Sequence, residues 1–454
     1  MTNQYLHAAD MWLDGRWQSG TRLEIGNQGR VAGIATGAPE SDSQFLGKYV
    51  LPGMPNAHSH AFQRAMAGLA ERRQRDHESF WSWREVMYAF AERIGPDELR
   101  AIASQLYLEM LKAGYTRVCE FHYLHRQPDG RPYADPAAMS LALVEAAREV
   151  GIGLTLLPVL YMTGGFDGRE LGPKQKRFGL EMDAYLHLLE NLHKQAAPEV
   201  TIGVGLHSLR AVPADALRIV LDSPVTQGMP VHIHIAEQLG EIQDCLALRN
   251  ARPVEWLLDH ADVNANWCLV HATHVTPVEV RRLAKSKATV GLCPTTEANL
   301  GDGLFPLADF LVAGGRIAIG SDSNVSVSPV EELRWLEYGQ RLSKGKRHIA
   351  SDSHDSVGET LWQRALEGGR RSSGQPPTLE IGSSADLLVL DETSPLLAGH
   401  GAKTLLDSFL FAGNTPLVRD VMVAGQWRVR NFQHADEARI AANFRSTLRQ
   451  LLDH

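Results

Sequence analysis

The sequence predicts an α/β chain built as a (β/α)8 TIM barrel, with a small composite β-sandwich contributed by both chain ends. Three observations predict it. Eight apolar strand candidates alternate with helical segments through the middle of the chain, the pattern of repeated βα units. Short strand-and-turn stretches flank this region on both sides. The 454 residues also exceed what one small core accommodates and suit one large domain with a smaller module.

Residues 1–49 form the first part of the sandwich. There Trp12-Leu13-Asp14-Gly15-Arg16-Trp17 sets apolar residues around an Asp-Gly hairpin signal. Val423-Ala424-Gly425-Gln426-Trp427 repeats that outline near the other end, and Asp386-Leu387-Leu388-Val389-Leu390 is a further short strand. Residues 375–454 therefore supply the second part, closing with a helix over 436–454. The barrel occupies 50–374, with strands at 50–60, 116–123, 152–161, 200–208, 230–237, 267–271, 288–293 and 316–322. Its helices carry readable ends: Asp135-Pro136 opens one that Gly151 closes, and Thr276-Pro277 with Glu279 opens another. A doubly wound sheet would place Gly-x-Gly-x-x-Gly after an early strand, and none follows here.

A formal charge of -8 argues against nucleic acid as a partner, which calls for a basic face. No apolar run approaches the ~20 residues that cross a bilayer, so no membrane role is expected. The N-terminal stretch lacks a basic segment followed by an apolar one, which makes cytoplasmic residence the expectation. Cys119, Cys245, Cys268 and Cys293 are widely spaced and read as reduced core residues.

The ends of the barrel strands carry the chemistry. His58 and His60, two residues apart on one strand, present their imidazoles to the same side. Such a pair alone is more often two ordinary histidines than a metal site; further ligands at other strand ends give it weight. Strand five offers His232 and His234, with Glu237 just beyond. His234, nearer the strand end, is the expected ligand, while His232 reads as a hydrogen-bonded core residue. Strand six ends at His271, and strand eight runs into Gly320-Ser321-Asp322. Singly, His271 could be structural and Asp322 a helix cap. Together they place histidines and a carboxylate at the active-site rim of a barrel.

These motifs resemble the amidohydrolase superfamily, in its cytosine-deaminase-like and chlorohydrolase-like branch. The resemblance covers nearly the whole chain: Pro52-Gly53 before His58-x-His60, His232-x-His234-x-x-Glu237, His271 and Gly320-Ser321-Asp322. Within that branch the chain is most similar to the formimidoylglutamate deiminase family, through Asn56 to Arg64, Glu120-Phe121-His122-Tyr123 and His207-Ser208-Leu209-Arg210-Ala211-Val212. The resemblance implies one divalent metal held by His58, His60, His234 and Asp322, with zinc the expected ion and iron also suited to the donors. Strand four lacks the lysine that bridges two ions in binuclear relatives, which supports a single metal. It also implies Glu237 as proton shuttle, with His271 and Asp322 stabilising the tetrahedral intermediate, and a homodimeric assembly.

The implied substrate, N-formimino-L-glutamate, carries two carboxylates and calls for planar bidentate donors. Arg210 meets that demand: nucleoside-directed relatives usually show His-Ser-Pro-Tyr where this chain has His207-Ser208-Leu209-Arg210. Arg84, in Trp81-Ser82-Trp83-Arg84, is the second expected clamp, although Arg64, Arg72, Arg73 and Arg75 crowd the same loop and could simply be solvated. Gln63, Tyr123 and His207 complete the expected hydrogen-bonding set. An aminated purine or nucleoside derivative is the alternative substrate for such a metal site.

Overall fold

A computed structural model describes residues 3–39, 42–71, 80–351 and 355–453, with nothing stated of the side chains at 80–82. Arg72, Arg73 and Arg75 lie outside the described residues, and Trp81 and Ser82 are placed by backbone only.

The barrel strands follow in space the order they have in sequence. They are Met54–Ser59, Tyr115–His122, Gly153–Leu160, the split pair Val200–Ile202 and Val204–Leu206, Val231–Ile235, Trp267–His271, Thr289–Leu292 and Arg316–Ile319. Adjacent strands pair in parallel, each returning through a helical crossover. First and last strands meet at a bridge between Ser59 and Asp322, where His60 N–H donates to Asp322 O (3.0 Å) and Asp322 N–H to His58 O (2.9 Å). Gly320 permits this approach, since a Cβ there would sit 2.7 Å from the Cβ of His58.

The run predicted as one strand over 50–60 serves two sheets. Tyr49–Pro52 pairs with Gln4–Leu13 and Leu387–Leu390, whereas Met54–Ser59 pairs with Tyr115–His122. The chain changes sheet at Gly53, where a Cβ would lie 2.2 Å from Thr116 Oγ1. Both chain ends join one continuous nine-stranded sheet, with strands from 4–52 beside strands from 387–434. The helix Glu437–Leu452 follows.

Local signals explain several boundaries. Thr276 Oγ1 accepts from Glu279 N–H (3.3 Å) and Glu279 Oε2 accepts from Thr276 N–H (2.8 Å), a reciprocal cap opening Pro277–Ser286. The helix Ala138–Val150 ends at Gly151. Cys119, Cys245, Cys268 and Cys293 are buried and unpaired to one another. Among the described residues no helix is long and apolar enough to cross a membrane.

Candidate active site and metal centre

At the C-terminal mouth of the barrel the strands abandon extended geometry. Ala236, His271, Ala272, Asp322 and Asn324 all have positive φ, between 45° and 68°. Each such residue costs about 1–3 kcal/mol and persists only where its surroundings hold it. Here side chains do so. Glu241 accepts from the backbone N–H groups of Ala236 (3.0 Å) and Glu237 (3.1 Å). Asn324 Nδ2 donates to the carbonyls of His60 and Asp322, both at 3.0 Å. Asn56 Oδ1 accepts from Ser321 N–H (3.1 Å), tying strand eight to strand one.

His58, His60, His234 and Asp322 converge. His60 Nδ1–H donates to Phe121 O (2.8 Å) and His234 Nδ1–H to His207 O (3.0 Å). With the proton on Nδ1, each ring turns an Nε2 lone pair inward. His58 Nε2 lies 3.2 Å from that of His60 and 2.9 Å from that of His234. Asp322 Oδ1 stands 3.2 Å from His60 Nε2 and 3.5 Å from His58 Nε2. The inward nitrogens of His60 and His234 thus share His58 and Asp322 as neighbours, a donor set open to one cation. Three imidazole nitrogens and a carboxylate oxygen, all within 4.8 Å of one another, make a donor set that fits a divalent ion.

Electrostatics agree with neutral imidazoles. Burial lowers His58 to about 3 and His234 well below the ordinary histidine range, the neighbouring rings adding to the latter shift. Burial works against the Asp322 charge, but its contacts with His58 and His60 hold the carboxyl well below its usual range. His232 is kept out of the cluster: its Nε2–H donates to Ser372 O at 2.8 Å.

Beside the ligands, His271 Nε2 lies 3.8 Å from Asp322 Oδ2 and 3.9 Å from Glu237 Oε1. Burial disfavours charge on His271, yet the carboxylates of Glu237, Glu297 and Asp322 push it up to about 10. Glu237 is raised, chiefly by burial, with His271 pulling the other way and Asp322 adding to the rise.

One cavity joins this centre to the predicted substrate residues. Gln63, Arg84, Tyr123, His207 and Arg210 line it together with Glu237, His271 and Asp322. Gln63 Nε2–H donates to Tyr123 Oη (2.8 Å), leaving the buried Gln63 Oε1 without a hydrogen-bond partner. Arg84 Nε–H donates to Tyr88 Oη (2.5 Å), and Arg84, Tyr88 and Arg210 line the same cavity. Arg64 is tied elsewhere, to Glu109 Oε2 and Asn324 O, both at 2.8 Å.

Sequence reasoning missed three contributors. Tyr161 meets His207 edge to face, with ring centroids 4.3 Å apart, and lines the cavity. Glu241 braces the Ala236–Glu237 turn, and Glu297 contacts His271. Both acids sit in the first turn of a helix following a barrel strand, and that position was the available signal.

Residues 49–358 match the amidohydrolase family model. The chain belongs to the amidohydrolase family. Among its relatives it is 52% identical over 440 residues to formimidoylglutamate deiminase of Pseudomonas aeruginosa, covering 96% of this chain and 97% of that one. A 5-methylthioadenosine/S-adenosylhomocysteine deaminase of Natronomonas pharaonis is 25% identical, over 89% of this chain and 86% of the other. The solved structure of an amidohydrolase from Brucella melitensis superposes with a TM-score of 0.94 at 43% identity, covering 99% of this amidohydrolase and 100% of the other.

Proposed function

We infer that this amidohydrolase is a metal-dependent deiminase converting N-formimino-L-glutamate and water to N-formyl-L-glutamate and ammonia, a step of histidine degradation. One observation carries the reading: two guanidiniums, Arg84 and Arg210, share a cavity with a complete hydrolytic centre. The 52% identity to formimidoylglutamate deiminase supports the same substrate.

His58, His60, His234 and Asp322 would hold the ion; imidazole and carboxylate donors suit zinc and also admit Fe2+. When bound, such an ion lowers the pKa of water from 15.7 toward ~7. Glu237 accepts one proton of the water on its carboxylate and delivers it to the nitrogen that leaves; Asp322 takes the remaining hydroxyl proton, which passes to the same nitrogen so that it can depart as ammonia. His271 presents Nε2 to the oxygen that gains negative charge as water adds, and Asp322 orients that imidazole from 3.8 Å. The terminal C–N bond of the formimino group then breaks, ammonia departs, and the C=O of the formyl group forms. Arg210 and Arg84 pair with the substrate carboxylates, while Gln63, Tyr123 and His207 orient the group between.

Ammonia release from N-formimino-L-glutamate, N-formimino-L-aspartate, guanine and S-adenosylhomocysteine tests the assignment. Turnover of the first is expected; activity confined to a ring substrate overturns it. Arg210→Met should raise KM for the dianion about 10- to 100-fold, from the ~1.5–3 kcal/mol of a charged hydrogen bond. An uncharged formamidine should be scarcely affected, and equal losses on both would remove Arg210 from the clamp.

The same reading places the enzyme in the cytoplasm, in keeping with four unpaired cysteines, and as a homodimer. Trp335, Tyr338 and Leu342 lie along one face of helix Pro329–Lys344 and are 45%, 37% and 82% exposed, an apolar stripe suited to a second copy. Sedimentation should give twice the 50.0 kDa chain mass, and Leu342→Glu should lower it; a monomeric wild type sinks the dimer.

A further inference from the structure

The mechanism needs the His271 ring held at one angle, and the backbone alone does not hold it. His271 ends its strand at φ 68° and Ala272 follows at 48°, so the side chain projects from a left-handed turn. A histidine there has a broad, roughly two-fold χ2, and a half-turn of the ring would replace Nε2 by a carbon edge at the site.

Glu297 supplies the missing constraint. It lies in the first turn of helix Pro294–Leu300, directly after strand seven, and is 5% exposed. Its Oε1 accepts from His271 Nδ1–H at 3.2 Å and from the backbone N–H of Cys293 at 2.9 Å. The second bond anchors the carboxylate to the end of strand seven, so its position is set by the sheet rather than by its own flexible chain. A carboxylate this buried requires a charged or strongly polar partner, and its ion-pair partner is the His271 ring. The imidazole thus spans three acids. Glu297 takes Nδ1, while Nε2 faces Glu237 and Asp322.

We propose that Glu297 is a positioning residue for the reaction: by accepting a hydrogen bond from Nδ1–H it fixes the rotation of the His271 ring, so that Nε2 points into the cavity between Glu237 and Asp322. It touches neither substrate nor ion ligand in this arrangement and acts only through the ring. A carboxylate acceptor keeps the proton on Nδ1 throughout turnover, leaving Nε2 as the nitrogen that faces the reacting oxygen. The kinetic consequence rests on the deiminase reading above; the ring geometry does not.

Two measurements separate those claims. In proton NMR of the full-length protein, the hydrogen-bonded Nδ1–H of His271 should give a downfield signal, assigned by its loss in H271N. That signal should vanish in E297A and persist, shifted, in the isosteric E297Q. In ammonia-release kinetics, E297A should lower kcat about 10- to 100-fold with KM and metal content unchanged, and E297Q should recover most of the loss. In an H271N background, E297A should cost nothing further, because the interaction it removes is already gone. An unchanged downfield signal in E297A overturns the proposal, as does wild-type kcat in E297A or an undiminished loss in the H271N background. Absence of wild-type turnover on N-formimino-L-glutamate would instead fall on the deiminase reading, with the NMR result still deciding the role of Glu297.

Discussion

Glu237→Gln should lower kcat about 10²–10⁴-fold, the range of a lost general acid–base catalyst, while leaving the metal and KM nearly unchanged. The expectation follows from placement. Glu237 stands outside the four-ligand cluster, so the ion does not depend on it. Its carboxylate lies 3.9 Å from His271 Nε2 on the cavity wall, where water and the departing nitrogen must meet. Glutamine preserves size and polarity but cannot carry the proton. Glu241 holds the Ala236–Glu237 turn through backbone N–H groups, which the substitution leaves in place. Near-normal kcat would remove Glu237 from the shuttle, and loss of metal would make it a ligand.

Stripping the ion with a chelator should bring ammonia release to background and lower the thermal midpoint. Zn2+ or Fe2+ should restore both. The inward lone pairs of His60 and His234, with His58 Nε2 at 3.2 and 2.9 Å, are arranged for a cation and lose their common partner when it leaves. An ion present at 1,000 times its Kd contributes about 4 kcal/mol to the folded state, so the stability change should be readily measured. His234→Ala should reproduce the metal loss, because it removes one donor and the Nδ1 bond to His207 O. Stoichiometric metal in that variant, or full turnover in the stripped protein, would contradict the ligand set.

Much of this was legible in the chain because it depends on short-range periodicity. Alternating strand and helix patterns place eight strand ends on one rim, and the two-residue spacing of His58 and His60 puts both rings on one side. Thr276 and Glu279 announce a helix start that the folded chain uses. The change of sheet at Gly53 was not legible, since residues 50–60 read as one strand whichever strands they pair with. Glu241 and Glu297 were hidden for a related reason: an acid in a first helical turn ordinarily serves the helix, and Glu297 meets His271, 26 positions away, only in the folded barrel.

The sequence by itself determined the barrel and which histidines and acids stand at its strand ends, because residue type and spacing suffice for those. Only the tertiary structure decided what surrounds them. It closes the barrel through Ser59 and Asp322, turns the His60 and His234 imidazoles inward through bonds to backbone carbonyls, and brings Arg84 and Arg210 to one cavity. These are contacts between residues from 27 to more than 250 positions apart, and their geometry comes from how strands pair and helices pack, which no local pattern encodes.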